Sequence, residues 1–205
     1  MQRVIATMTI SLDGIGSGHN QTEERPFGDT SSELIHRWMF ETPEENRAEI
    51  DEIVSAGAYV MGRNMFGPVR GEWDRDWRGW WGDDPPYHAP VFVLTHHPRA
   101  SIPMAGGTTF HFVTDGIEAA LDRARDAAEE RAVHVAGGVS TINQYLAAGL
   151  VDELMLQISP TIVGTGLRLF EGVGPVDLEL VSTRGASLVT HVRYRVRRTA
   201  GKEES

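Results

Sequence analysis

Apolar residues along the chain fall into short continuous runs separated by stretches of helical spacing, and this alternation predicts the elements. Val4 to Leu12 is apolar and β-branched and reads as a buried strand. It closes on the turn signal Ser11-Leu12-Asp13-Gly14, and the next dozen residues, IGSGHNQTEERP, show no period. A loop this long after a first strand is more often functional than not. Thr30 with Glu33 makes a possible capping box, after which Leu34, Ile35, Trp38 and Met39 mark a helix face. Thr42, Pro43 and Glu45 repeat the start signal for a helix that turns Ile50, Ile53 and Val54 inward and stops at Gly57.

Ala58 to Met61 is a short strand feeding a helix start, Gly62-Arg63-Asn64-Met65-Phe66. Val91 to Thr95 and Thr109 to Val113 are further strands, and Gly116 to Arg131 is a helix with Ile117, Leu121, Ala124 and Ala128 on one face. Val133 to Ala136 is a strand that meets Gly137-Gly138. The helix that follows carries Ile142, Tyr145 and Leu146 at helical spacing and ends at Gly149. Glu153 to Pro160 is a strand, and a loop with Gly164 and Gly166 follows it. Strands alternating with helices predict a mainly parallel sheet covered on both faces. The C-terminus departs from this pattern. Leu178 to Thr183 and Leu188 to Val196 flank Gly185 as an antiparallel hairpin. Val192, Tyr194 and Val196 alternate there with Arg193, Arg195 and Arg197, which predicts one buried and one solvated face.

Composition narrows the classes. With 205 residues, 40% of them hydrophobic, the chain can bury a real core, and one domain over residues 1–198 with a flexible tail at 199–205 is expected. A formal net charge of -10 argues against nucleic acid or an anionic membrane as partner. The absence of cysteine excludes disulfides and thiolate metal sites and fits a reducing, cytoplasmic setting. MQRVIATMTISLDG holds no apolar run long enough for a signal peptide or membrane span.

Three strand ends carry groups suited to phosphate: Gly62-Arg63, Thr95-His96 and Gly137-Gly138. Glycine lets a main chain approach an anion closely, and free N–H groups at a helix start attract it. In an open parallel sheet ligands bind beyond the carboxyl ends of the strands, so three such ends on one rim point to an extended dinucleotide. Each also reads as a plain strand-to-helix turn, and Arg63 as a solvated surface arginine. The fingerprint GxGxxG is absent. His96-His97 can be read as a metal pair, but neighbours on a strand point to opposite faces and no acidic motif completes such a site, so no metal is expected.

The ordered set IATMTISLDGIG, YVMGRNMFG, VFVLTHHP and AGGVSTINQYLAAGLVDELMLQISPTIVGTGLRLF resembles the dihydrofolate reductase-like superfamily. Within it the chain is most similar to stand-alone relatives of the riboflavin-biosynthesis (RibD C-terminal) reductase domain. The resemblance implies an α/β three-layer fold with a mostly parallel eight-stranded sheet, an antiparallel C-terminal hairpin and flanking helices. It implies an NADPH-dependent reductase that transfers a hydride to a small-molecule substrate, either a pterin- or pyrimidine-like heterocycle or a carbonyl compound. A homodimer is expected by the same analogy, and a sensor that binds nucleotide without turnover is the alternative.

Carried over by residue, the resemblance puts the Thr7 backbone and Ile15 at the nicotinamide carboxamide and Gly62, Arg63, Asn64 and Met65 at the cofactor phosphates. Leu94, Thr95 and His96 would line the adenosine end. Gly137, Gly138, Val139, Ser140 and Thr141 would cradle the pyrophosphate, with Ile142 near the nicotinamide. Arg63 would grip the 2′-phosphate as a planar fork, with charge added by His96, His97 or Arg99. Asp13 is the candidate proton donor and a substrate contact, or else a turn aspartate that bonds its own backbone. Glu33 is a substrate carboxylate or a helix cap, Trp38 a substrate cover or a core residue, and Gln157 a pocket residue. Ala136 stands where riboflavin-pathway reductases often carry glutamate. Trp73, Trp77, Trp80 and Trp81 form a lid, a self-association patch or a loop packed over the sheet.

Overall fold

The computed structural model describes residues 2–30 and 32–197, with the backbone only at 32 and 33. The side chain of Glu33 and the tail 199–205 therefore lie outside the described residues. In chain order the elements are β1 (Val4–Ser11), β2 (Ile15–Ser17), a 3-10 turn (Ser32–His36) running into α1 (Arg37–Phe40), and a second 3-10 turn (Pro43–Asn46) running into α2 (Arg47–Ile53). Then come β3 (Ala58–Gly62), α3 (Arg63–Phe66), β4 (Pro90–Leu94), β5 (Ile102–Pro103), β6 (Thr109–Val113) and α4 (Gly116–Ala128). The chain continues through β7 (Val133–Gly137), α5 (Val139–Ala147), β8 (Glu153–Ser159), β9 (Leu167–Arg168), β10 (Leu178–Ala186) and β11 (Val189–Val196).

Nine strands form the main sheet in the order β10-β11-β8-β1-β7-β3-β4-β6-β5, and β2 pairs with β9 in a small second sheet. All pairs from β8 across to β6 are parallel, whereas β10, β11 and β5 run antiparallel to their neighbours. The ninth strand, beyond the eight expected, is β5, two residues at the far edge. β7 and β8, late in the chain, flank the first strand, so the centre of the sheet closes only when both ends of the chain are present.

Strand alternation divides the side chains between two cores. Val4, Ala6, Ile10, Val133, Val135, Leu154 and Leu156 pack beneath Leu121, Ala124 and Ala128 of α4 and Ile142, Tyr145 and Leu146 of α5. Tyr145 Oη donates to the Ile117 carbonyl at 2.6 Å and ties the two helices together. The other face gathers Tyr59, Met61, Phe66, Val91, Val93 and Phe110, with Trp73, Trp77 and Trp81 packed against them.

The capping residues read from the sequence do not cap. Thr30 Oγ1 is buried without a hydrogen-bond partner, and Thr42 Oγ1 donates back to the Trp38 carbonyl at 3.1 Å. The second helix is accordingly short, and Ile50, Ile53 and Val54 are half-buried rather than core. The interior side chain of that segment is Asn46, whose Nδ2 donates to the carbonyls of Thr42 (2.8 Å) and Trp38 (3.2 Å). α4 ends at Ala128, short of Arg131, where Glu129 takes φ +55°. The hairpin is not solvated along its whole arginine face. Arg193 is held by Glu153 at 2.7 Å and Glu52 at 2.8 Å, because β11 pairs with β8 and the end of α2 covers that face.

Candidate functional site

β7, β3 and β4 are neighbours in the sheet, with Met61 opposite Gly137 and Gly62 opposite Leu94. Their carboxyl ends thus form one continuous rim that leads into α5, α3 and the Thr95–His97 turn. Gly62 has to be glycine there, since a Cβ would overlap Thr141 Oγ1. Gly137 has φ +114°, and the Gly137–Gly138 peptide bond is cis. A Cβ on Gly138 would meet nothing within 4 Å, so the backbone lies open on that side. Gly138 also begins α5 without a side-chain cap. Its carbonyl accepts from Thr141 N at 3.0 Å and Ile142 N at 3.1 Å. The Val139 and Ser140 N–H groups are left without an intrahelical acceptor at the positive end of the helix. Such an opening suits an anion.

The cation on the rim is Arg63. Its Nη1 donates to Thr95 Oγ1 at 3.3 Å, while its Nε and Nη2 are buried with no hydrogen-bond partner. Buried donors are nearly always paired, so two orphans on one guanidinium mark a place for an acceptor that the fold does not supply. Burial pulls the Arg63 pKa below the ordinary arginine value. Arg70 and Arg99 push in the same direction, against a smaller opposing effect of Glu72 and Asp74. The guanidinium lies 3.9 Å from the centroid of the Trp73 ring, and Arg99 lies 4.9 Å from the same centroid. Trp73 Nε1 donates to the His97 carbonyl at 2.9 Å, and His97 N donates to Thr95 Oγ1 at 3.1 Å.

Asp13 follows the carboxyl end of β1, the strand beside β7, and does something different. Its carboxylate accepts from Ser11 Oγ (2.6 Å), Gly164 N (2.8 Å) and Val163 N (3.1 Å), and Arg168 donates to its carbonyl. The Ser11 hydroxyl, followed by the two backbone donors, outweighs burial and holds the Asp13 pKa at about 2. A carboxyl that stays ionised at neutral pH has no proton to give. The turn-forming reading accounts for its contacts, extended by a second tie to the loop after β8.

The remaining candidates divide by burial. Ile15 and Ile142 are closed in, at 1% and 0% exposure, with Ile142 packed into the larger core under α5. Asn64, His96 and Ser140 are exposed, and Met65 and Leu94 half-buried. Thr7 Oγ1 is buried and unpartnered on the face opposite the larger core. Trp38 is fully buried, edge-on to His191 at 5.2 Å. Gln157 lies directly across from both Thr9 and His191, buried at 2% exposure.

Two contributions escaped the sequence. Trp73 was one of four loop tryptophans with no pattern to single it out, yet it carries the rim's arginines. His191 carried no sequence signal, yet its Nε2 meets Asn46 Oδ1 at 2.8 Å. Because the Asn46 amide nitrogen faces carbonyls, the network assigns the imidazole proton to Nε2 and leaves Nδ1 a buried acceptor without a partner. Among the described residues no three side chains converge as metal ligands, and no helix is long and apolar enough to cross a membrane.

A mostly parallel sheet with antiparallel C-terminal strands and flanking helices gives the chain a dihydrofolate reductase-like α/β fold. Residues 2–191 match the RibD C-terminal domain, and the chain belongs to that family. Comparison with curated proteins gives no match. Among solved structures, a protein assigned to riboflavin biosynthesis from Shewanella sp. PV-4 is similar at TM-score 0.63 and 20% identity, over 96% of this chain and 100% of that one. A dihydrofolate reductase from Enterococcus faecalis, complexed with NADP(H) and RAB-propyl, is similar at TM-score 0.61 and 16% identity, over 96% and 97%. The diaminohydroxyphosphoribosylaminopyrimidine deaminase/5-amino-6-(5-phosphoribosylamino)uracil reductase of Thermotoga maritima gives TM-score 0.57 and 16% identity. There the match covers 96% of this chain but 57% of that longer one.

Proposed function

We propose that the protein is an NADPH-dependent reductase that passes a hydride to a small heterocycle, pterin- or pyrimidine-like, or to a carbonyl compound. The observation that carries this reading is Arg63, two of whose buried guanidinium nitrogens lack an acceptor, at the end of the strand next to the one that leads into the open start of α5. The cofactor fits these residues. The Val139 and Ser140 N–H groups suit its pyrophosphate, and Arg63 with Thr95 suits its 2′-phosphate. When bound, the nicotinamide supplies the hydride. The chain holds and orients the carrier, and Asp13, being ionised, is not the group that supplies the proton completing reduction of a C=N or C=O group. Membership of the RibD C-terminal family supports the reaction class, as do a neighbour named as a uracil reductase and another solved with NADP(H).

Titrating the protein with NADPH while following cofactor fluorescence tests the reading, and no binding at millimolar cofactor overturns it. One observation favours a second reading, a nucleotide-binding sensor without turnover: Asp13, the candidate proton donor, is ionised and bound to the loop after β8. Tight NADPH binding with no oxidation across pterins, flavin precursors and quinones would decide for the sensor. A homodimer is proposed by family analogy, which sedimentation velocity checks.

A further inference from the structure

Arg63, Thr95, His97 and Trp73 close a ring of contacts. Arg63 donates to Thr95, Thr95 and His97 hydrogen-bond each other, Trp73 donates to the His97 carbonyl, and the Trp73 indole lies against Arg63. The same indole carries the Arg99 guanidinium, which is tied down by the Trp77 carbonyl at 2.6 Å and Asp76 at 3.1 Å. Trp73 is itself fixed edge-on against Phe66 (6.0 Å) and Phe112 (5.1 Å). Two like charges are thereby gathered on one aromatic ring. Cation–π attraction orients a guanidinium whose hydrogen-bonding edge is left unused.

We propose that Trp73 is the positioning residue for 2′-phosphate selectivity: its indole holds Arg63 and Arg99 together as a cationic patch whose unfilled donors take a dianionic phosphate monoester. The inference rests on the cofactor reading above and adds the residue that sets its choice of cofactor. Trp73 need not touch the phosphate. It keeps the Arg63 fork from swinging into solvent, so the fork is preorganised for a bidentate acceptor. Without the ring, Arg63 keeps its charge but loses its orientation.

The test uses the full chain with two probes, 2′,5′-ADP and 5′-AMP, which differ in the 2′-phosphate and lack the nicotinamide. Wild type should bind 2′,5′-ADP the more tightly. Trp73→Phe, which keeps a ring, should preserve that preference, and Trp73→Met should weaken 2′,5′-ADP about tenfold while 5′-AMP stays within about twofold. A Trp73→Met protein that keeps the wild-type ratio overturns the proposal. Should that variant fail to fold, the indole N–H resonance of Trp73 in wild type serves instead. It should move with 2′,5′-ADP and stay still with 5′-AMP, and no movement while the Arg63 Nε resonance shifts overturns the proposal equally. If wild type binds the two probes equally, the phosphate-reading role of Arg63 fails and this inference with it. That result is separable from one in which selectivity exists but ignores Trp73.

Discussion

Asp13→Asn separates a proton donor from a loop anchor. In the folded protein three donors face the carboxylate and hold its pKa at about 2, against an ordinary value of 3.8. At about 1.4 kcal/mol per pH unit, the shift corresponds to roughly 2.5 kcal/mol before solvent screening. The group is only partly covered, and asparagine keeps one acceptor oxygen, so roughly 1 kcal/mol is the loss to expect. For a chain of this size that lowers Tm by about 2–4 °C. The folded pKa is depressed, so the stabilisation is fully present above the unfolded value and disappears as pH falls toward about 2. The Tm gap between wild type and variant should therefore stay constant from about pH 8 to about pH 5 and narrow only in more acid buffer. NADPH oxidation, followed at its absorbance band, should change by less than roughly threefold, whereas removing a general acid costs about 10²–10⁴-fold. A loss of a hundredfold or more with an unchanged Tm would refute the anchor, as would a Tm gap that varies between neutral and mildly acid pH.

Arg63→Ala should weaken NADPH by about tenfold to a hundredfold, the value of a hydrogen-bonded charge, and leave NADH within about twofold. Equal losses in parallel titrations would remove Arg63 from the phosphate. Gly62→Ala drives a Cβ into Thr141 Oγ1 and should destabilise the fold by about 1–3 kcal/mol. Urea melts should then show Thr141→Ala recovering most of that loss in the double variant, since the hydroxyl is the atom in the way. Arg193→Met leaves Glu153, 8% exposed, paired with Arg3 alone and should cost about 2–3 kcal/mol at neutral pH. Burial raises the Glu153 pKa but Arg193 and Arg3 bring it below the usual value, so the penalty should shrink as pH falls through the carboxylate range.

The strand-and-helix order was legible because it rests on local periodicity. Val133 to Gly138 running into Val139–Ala147 reads as strand, glycines and helix before any fold is known, and the parallel sheet follows from the alternation. The adjacency of the three strand ends followed from the parallel alternation, although each end also reads as a plain strand-to-helix turn. Helix starts were misread at Thr30 and Thr42, where hydroxyl and carboxylate spacing matched a capping box but the Thr30 hydroxyl finds no partner and the Thr42 hydroxyl turns back to the Trp38 carbonyl. Arg193 read as solvated from a period of two, which cannot see that Glu52 folds over that face.

By itself, then, the order of residues determined which segments become strands and helices, and that Gly62, Arg63, Thr95 and Gly138 stand at strand ends. Only the folded chain decided that Arg63 keeps two donors unfilled, that Trp73 and Arg99 stand beside it, and that Asp13 is an ionised anchor. The reason is one of range. Periodicity and turn chemistry act over a few residues, whereas Trp73 reaches the His97 carbonyl and Asp13 reaches Gly164 across long stretches of chain, and burial and charge are set where such distant segments meet.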